Sequence, residues 1–536
     1  MKVVGRQAMQ EVDRRAAQEY GVPALVLMEN AGAAVVRRAA VMLEGRLSGR
    51  RIVVAAGSGN NGGDGLAAAR RLAAAGAHVL VALAAEPDGE APRLSPDALV
   101  NFRIARRIGI DVQFVGGEES RGRLAAAFAS ADLVIDAVLG TGSRGAPRGR
   151  ALEAIEMVAA CGRPVLAVDI PSGVDSDTGQ MPGAAVKADE TVTFGLPKPG
   201  HLLFPGAGLC GAVWVAEIGF PPPLLEGAPA AFELVEAEQV RSWLPARPAH
   251  GHKGTFGHVL VVAGSRGMVG AGAMASRGAL AAGAGLVTWA VPACLQDTAA
   301  GLVPEALTAG LPDEAGRGRL AATAAGAVME LLATREVLLI GPGLGTHPET
   351  AAAVLEVLQR WPGPAVIDAD ALNILAVSGP AAVGGPQRIL TPHPGEMARL
   401  LGRSVAAVQE DRLAAAREAA EKYASVVVLK GARTAIADPQ GRAWLNPAAE
   451  PSLATGGSGD VLAGIAAGLL AQGARAAEAA AGACFIHALA GVMAAGGGDV
   501  GITAAGIAAS VGPAIRALKR GDPVPEGLAP VRVLAP

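Results

Sequence analysis

The sequence predicts an α/β protein of two domains: a doubly wound sheet over residues 1–220, a connector over 221–235, and a second α/β domain over 236–536. Three observations predict it. Short apolar runs ending in glycine-bearing polar loops alternate with helical patterns, once between Arg51 and Ala216 and again between His258 and Leu470. Chain breakers cluster between the two series, at Pro221-Pro222-Pro223, Gly227-Ala228-Pro229 and Pro245 to Pro248. A chain of 536 residues is also too long for one ordinary domain.

Arg6–Tyr20 carries apolar positions at helical spacing among its charges and reads as an amphipathic helix. Leu25–Gly32 leads into a second helix, with Glu29 and Asn30 placed to cap it or to line a site, capping being favoured. Arg51–Ala56 reads as a buried strand, Gly57–Gly65 (GSGNNGGDG) as its loop, Leu66–Ala75 as a helix and His78–Leu83 as the next strand. Such a loop lies at the carboxyl end of a parallel strand, where open α/β sheets bind ligands. Gly57, Gly59 and Gly62 match the spacing of a dinucleotide-binding turn, with Glu86 close to the ribose position. Asn60, Asn61 and Asp64 add oxygens and donors beyond what a pyrophosphate turn uses.

Asp132–Asp136 and Pro164–Asp169 are further strands, each ending in a carboxylate beside a glycine-containing turn. One such Asp is often a helix cap. Two of them, facing a third loop with Asn60, Asn61 and Asp64, point to a site. Asn61, Asp136 and Ser172 supply hard oxygen atoms suited to a metal cation. Thr191–Phe194 and Ala212–Ala216 complete the domain near Phe220.

The second series opens with strand His258–Ala263 and a small-residue helical stretch, Gly264 to Gly285. Strands follow at Leu286–Val291, Val337–Ile340, Ala365–Ile367 and just before Thr391, then a helix Met397–Leu401, an amphipathic helix Ser404–Ala424 and strand Val426–Lys430. Three loops suit an anion: Gly341–Gly345, Lys430–Thr434, and Gly456–Gly459 ahead of the apolar run Val461–Leu470. Asp460 sits at the mouth of the last, placed to take a proton from a hydroxyl as phosphate approaches. Electrostatic clamps with a positioned base are what phosphoryl transfer requires. No Walker motif is present, so the template is not a P-loop enzyme.

Hydrophobic residues make up 51% of the chain and charged ones 18%, with both signs interspersed to a net charge of −3, which offers nucleic acid and membrane surfaces no basic field. Cys161, Cys210, Cys294 and Cys484 are far apart, against a zinc site or disulfide framework and in favour of a reducing, cytoplasmic home. Ala479–Gly498 is uncharged, but its Ala- and Gly-rich composition within an α/β pattern reads as a buried helix rather than a membrane span.

The motifs also carry a resemblance. LKGART (429–434) and a downstream GSGD opening a helix resemble the ribokinase-like superfold, and HKGTFG (252–257), GPGLG (341–345), DADAL (368–372), TPHPGE (391–396) and TGGSGDVLAG (455–464) are similar to its nucleotide-dependent NAD(P)H-hydrate dehydratases. LMENAG (27–32), GSGNNGGDG, DAVLGTG (136–142), DIPSGVDSDTG (169–179) and TVTFGLPKPG (191–200) resemble the Rossmann-like NAD(P)H-hydrate epimerase domain. Together they cover nearly the whole chain and resemble the bifunctional NAD(P)H-hydrate repair family.

Reduced nicotinamides occasionally add water across a ring double bond, giving two epimeric hydrates. The resemblance implies that the front domain interconverts them and that the rear domain dehydrates the S form, consuming ADP and giving AMP and phosphate. It implies Asp460 as the dehydratase base in contact with the hydrate, Gly343 and His393 lining that pocket, and Lys430, Gly431, Ala432, Arg433, Thr434 and Gly459 holding the nucleotide, with magnesium. It implies Asn60, Asn61, Gly62, Gly63, Asp64, Gly140, Thr141, Gly142, Ser143, Arg144 and Gly145 around the hydrate in the front domain. Asp169 would contact substrate and transfer a proton, and potassium would be held by Asn61, Asp136 and Ser172. A homo-oligomer is implied as well. Leu307 replaces a Met common in the family, and no acidic residue stands near Ala505; neither touches the catalytic motifs. The rival reading is a ribokinase-like kinase of a small hydroxylated metabolite fused to a nucleotide-binding domain. It leaves the NNGGDG and DIPSG motifs without a purpose. A binding domain that had lost catalysis would be credible only with Asn61, Asp136 or Asp169 replaced, and all three are present.

Overall fold

The computed structural model describes residues 1–88, 92–380, 385, 387–498 and 500–534. The chain forms two compact units, Lys2–Ala231 together with the stretch from Pro530, and Phe232–Ala529. The connector expected at 221–235 is therefore mostly structured. Pro222–Gly227 is a helix that buries Leu224 in the first core, and Phe232–Leu234 is already a strand of the second sheet. The second domain also ends before 536, because Val531–Leu534 pairs in parallel with Ala212–Ala216 of the first sheet. A four-residue strand without a motif gives the sequence little to announce it.

In the first unit the sheet runs Val531–Leu534, Ala212–Ala216, Glu190–Phe194, Val165–Val168, Leu133–Ala137, Arg51–Gly57, His78–Ala84, Asp111–Phe114, all parallel. Burial on both faces explains the unbroken apolar runs. Arg51–Gly57 has its sequence successors on both sides, so a switch point opens between it and Leu133–Ala137. There the loops that follow both strands meet. A Cβ on Gly57 would lie 1.9 Å from the Val138 carbonyl oxygen, which is why that contact demands glycine.

The stretch expected as a loop through Gly65 is helical from Asn60 to Ala74. Its glycines serve close approach rather than a turn: a Cβ on Gly62 would meet the Gly57 carbonyl oxygen at 1.9 Å, and one on Gly65 would meet Ala137 Cβ at 2.5 Å. Glu29 and Asn30 likewise lie inside the helix Ala24–Met42 instead of capping it. Glu29 pairs with Arg70 and Arg71, and Asn30 donates to the Ile218 carbonyl. Glu86 is ion-paired to Arg150 and does not line the cavity described below, so the dinucleotide-turn match does not extend to a ribose acid.

In the second unit, parallel strands run in the order Val426–Leu429, Arg388–Leu390, Ala365–Ile367, Val337–Ile340, His258–Val262, Leu286–Pro292, Leu307–Leu311. Ala435–Ala437 returns antiparallel beside Val426–Leu429. The switch point lies between His258–Val262 and Val337–Ile340, and the Ser265 hydroxyl bridges it to the Gly343 carbonyl at 2.7 Å. The helix expected over Ser404–Ala424 is two, Val405–Glu410 and Arg412–Lys422, broken at Asp411, whose carboxylate caps the second.

The helix Ser458–Ala471 is buried along nearly its whole length against Val269–Ala282. A Cβ on Gly464 would stand 2.1 Å from the Ala275 carbonyl oxygen, so the Ala- and Gly-rich composition is what lets these backbones approach. Ala476–Ala495, the one described helix long and apolar enough to cross a membrane, is packed inside this core. Gly464→Ala is expected to lower the second unit's stability by about 1–3 kcal/mol, read as an earlier urea midpoint, while the first unit's transition stays in place.

Candidate active sites

At the first switch point, the loops after Arg51–Gly57, Leu133–Ala137 and Val165–Val168 enclose a cavity of about 590 Å³. Asn60, Asn61, Asp64, Gly140, Thr141, Gly142, Ser143 and Asp169, all predicted for this site, line it. Gly62, Gly63, Arg144 and Gly145 do not. Gly62 and Gly63 face inward, Gly63 packing against Met28, and hold the helix in place.

Asp169 is the best-anchored group here. Its backbone takes φ 66°, rare for a side-chain-bearing residue, which turns the chain sharply at the strand's end. Oδ1 accepts from Lys198 Nζ at 2.8 Å and Thr193 Oγ1 at 3.1 Å; Oδ2 accepts from the Thr141 amide at 3.0 Å and from the Thr141 hydroxyl. Burial alone would raise this carboxyl, but Lys198 and the hydroxyl donors outweigh it and hold it well below the usual carboxylate range. His201 closes the cluster from behind. Its Nδ1 accepts from the Lys198 amide, so Nε2 carries the proton and donates to the Asp169 carbonyl at 2.8 Å. Burial, then Lys198, lowers His201 to about 4, which keeps it neutral.

Asp136 and Ser172 are wholly buried side by side: the Ser172 hydroxyl donates to Oδ1 at 2.6 Å and its amide to Oδ2 at 2.8 Å. Both polar atoms of the Asn61 side chain are buried without a hydrogen-bond partner, and the amide lies against Gly140. A buried amide without partners is costly unless something satisfies it. Amide, carboxylate and hydroxyl oxygens are the donor types that a hard cation takes.

In the second unit, Gly457 takes φ 86° and starts the helix Ser458–Ala471, placing Asp460 in its first turn. The Ser458 hydroxyl meets Nε2 of buried His487 at 3.0 Å, fixing the loop from behind. Lys430 Nζ lies 2.8 Å from Asp368 Oδ1 and 4.0 Å from Glu396 Oε2, and a Cβ on Gly459 would come within 3.5 Å of it. Burial opposes the charge on Lys430, but Asp368 and Glu396 outweigh that and raise it. Asp460 is pushed up to about 7, chiefly by burial and then by Asp368, with Lys430 opposing.

The Gly341–Gly345 loop packs on the DADAL turn, where a Cβ on Gly341 would meet the Asp368 carbonyl oxygen at 1.9 Å and Asp370 accepts from the Gly345 amide at 2.8 Å. His393 caps the helix Pro394–Leu401: Nδ1 accepts from the Gly395 amide, leaving an Nε2–H that faces Glu396. Thr434 donates its hydroxyl to the Gly431 carbonyl and the Arg433 amide donates to Ala448, so both stiffen the turn at Lys430–Thr434.

Residues 24–200 match the family model described as the YjeF-related protein N-terminus, and residues 259–510 that described as NAD(P)H-hydrate dehydratase. The bifunctional NAD(P)H-hydrate repair enzyme of Moorella thermoacetica is 46% identical over 92% of this chain and 92% of its own length. That of Thermofilum pendens is 40% identical over 97% of each. The chain belongs to the bifunctional NAD(P)H-hydrate repair family. Among solved structures, the ADP/ATP-dependent NAD(P)H-hydrate dehydratase from Bacillus subtilis, co-crystallised with ATP and Mg2+, is 31% identical with a TM-score of 0.48, covering 54% of this chain and 99% of that one.

Sequence reasoning named the repair-family motifs but passed over several charges within them. Lys198 of TVTFGLPKPG, Asp368 of DADAL and Glu396 of TPHPGE set the electrostatics of the two sites. An ionisable residue inside a near-apolar strand-end motif was the available signal.

Lys198→Met would leave the Asp169 carboxylate buried without its counter-charge and is expected to destabilise the first unit by about 3–5 kcal/mol, measured by urea unfolding at neutral pH. The depressed Asp169 pKa contributes stability above the unfolded carboxyl's range that is lost as pH falls below it. The variant's stability should accordingly fall less steeply than the wild type's on acidification.

Proposed function

We propose that the first unit interconverts the R and S hydrates of NADH and NADPH, and that the second dehydrates the S hydrate with ADP, giving AMP and phosphate. Family membership supports both halves. The observation that carries the chemistry is Asp460: a carboxyl pushed up to about 7 at the N-terminus of a buried helix, behind a glycine loop and near a half-buried lysine paired with Asp368.

Hydroxide is a poor leaving group, so the ring hydroxyl must be converted into a better one. Asp460 takes the hydroxyl proton as the oxygen attacks the terminal phosphoryl group. The helix N-terminus and the amides of Gly456–Gly459 meet the charge that builds on the phosphoryl oxygens. Expulsion of phosphate, driven by the ring nitrogen's lone pair, and loss of the proton on the neighbouring ring carbon to water then restore the double bond. Lys430–Thr434 and Gly459 hold the nucleotide, with Lys430 kept charged by Asp368; Gly343 and His393 line the hydrate pocket. Magnesium would neutralise the nucleotide's phosphates. Potassium would satisfy Asn61 with Asp136 and Ser172, and so fix the loops around the first cavity.

In that cavity the Asp169 carboxylate faces the nicotinamide ring as a fixed negative charge. Its surroundings argue against the proton-transfer role expected for it, because both oxygens are engaged by donors and it stays ionised. The unpaired cysteines favour a reducing, cytoplasmic setting.

Asp460→Asn is expected to lower ADP-dependent dehydration of S hydrate by at least about 10²–10⁴-fold while R–S exchange persists, and Asp169→Asn to do the reverse; chromatography of the epimers with absorbance of reduced nicotinamide reads both. One substitution abolishing both activities in a folded protein would defeat the two-site reading. Because the base must be ionised, wild-type dehydration should climb with pH up to about 7 and level off above it. The ionised form is the one burial disfavours, so Asp460→Asn should also raise the melting temperature of the second unit when measured above that pH.

A further inference from the structure

The cavity of the first unit is lined by four ionisable side chains: Asp13, Asp64, Asp169 and Lys198. Two are tied to each other, at 2.8 Å. The other two are not: among the described residues neither the Asp13 nor the Asp64 carboxyl has a hydrogen-bond or ion-pair partner. Asp13 comes from the helix Arg6–Tyr20, outside the three strand-end loops, and its neighbours Met9 and Gln10 line the same cavity.

The proposed epimerisation needs such a group. A reduced nicotinamide is an enamine, so hydration puts the proton on the β-carbon and the hydroxyl on the carbon bonded to the ring nitrogen. Inverting that carbon breaks its C–O bond. The nitrogen lone pair forms a C=N bond, and the hydroxyl takes a proton and leaves as water. Water then re-adds to the opposite face, and the proton it sheds returns to the donor. No oxidant or second substrate enters. What the step requires is a proton donor that exchanges near neutrality and a fixed negative charge for the cationic ring.

We propose that Asp13 is the catalytic acid and base of this epimerisation, protonating the departing hydroxyl and deprotonating the incoming water while the Asp169–Lys198 pair stays fixed. The inference rests on the epimerase reading above. The groups facing Asp13 are Asp64 from the helix Asn60–Ala74 and Asp169 and Lys198 from the strand-end loops, with neutral His201 behind them. Asp13 is solvent-exposed where it lines the cavity, yet partial desolvation of its carboxyl, opposed by Lys198 and reinforced by Asp169, raises it to about 6, whereas desolvation, then Asp169 and Asp13, push Asp64 well above the usual carboxyl range. Asp13 is therefore the carboxyl able to cycle between its two states at working pH.

The test uses the full chain with ADP and magnesium on purified R hydrate, where absorbance recovers only after epimerisation, and on purified S hydrate as a control. Asp13→Asn should slow R-hydrate recovery at least about 100-fold, leave S-hydrate recovery unchanged and leave the dissociation constant for R hydrate within about threefold. Asp13→Glu should restore part of the rate. The wild-type rate should fall as pH rises above about 6, a limb absent from Asp13→Asn. Wild-type R-hydrate recovery in Asp13→Asn, or a loss explained by failure to bind R hydrate, would overturn the assignment. No recovery of R hydrate by the wild type would instead overturn the epimerase reading itself.

Discussion

Each unit is organised around a lysine paired with an aspartate at the carboxyl end of a parallel strand, the buried Lys198 with Asp169 and the half-buried Lys430 with buried Asp368, both at 2.8 Å. Neither partner could stay charged in such a place alone, since desolvation of an isolated ion exceeds what a folded domain can spare. Paired, they shift the ionisable groups nearby, on top of what burial does. Asp169 is held charged, while Asp13, Asp64 and Asp460 lie where burial and neighbouring carboxylates push protons on.

The two sites use this device in opposite ways. In the first, the pair includes the carboxylate that faces the cavity, so a fixed charge is presented beside Asp13 and Asp64. In the second, the pair lies close to Gly459 and Asp460 is a separate carboxyl, raised to about 7. Both depend on close backbone packing at a switch point. The contacts at Gly57, Gly62 and Gly341 leave no room for a side chain and hold strand-end loops in place, and that at Gly464 seats the helix Ser458–Ala471 on Val269–Ala282. The abundance of Ala and Gly thus belongs to the same design as the active sites.

Much of this was legible in the sequence, for identifiable reasons. Strand-end loops with carboxylates announce themselves, because a buried apolar run followed by Asp and Gly has few other uses; Asp136 and Asp169 are legible this way, and Asp460 through the glycine loop ahead of an apolar helical run. Glycine was read less well. Gly62 and Gly65 looked like a turn, yet they are helical, because tertiary contact with Gly57 and Ala137 overrides the poor helix propensity of glycine. Glu29 and Asn30 looked like caps because their partners, Arg70, Arg71 and the Ile218 carbonyl, are distant in sequence. The final strand and the role of Lys198 depend on pairings that no local pattern encodes.

The central claim is that two chemically different sites serve one damaged cofactor. An equilibrium mixture of R and S NADH hydrates, incubated with the full chain, ADP, magnesium and potassium, tests it most directly through reduced-nicotinamide absorbance and the nucleotide products. The account predicts recovery of the whole mixture, with AMP and phosphate formed in step with restored NADH. Absence of recovery, or accumulation of a stable phosphorylated product, would contradict it.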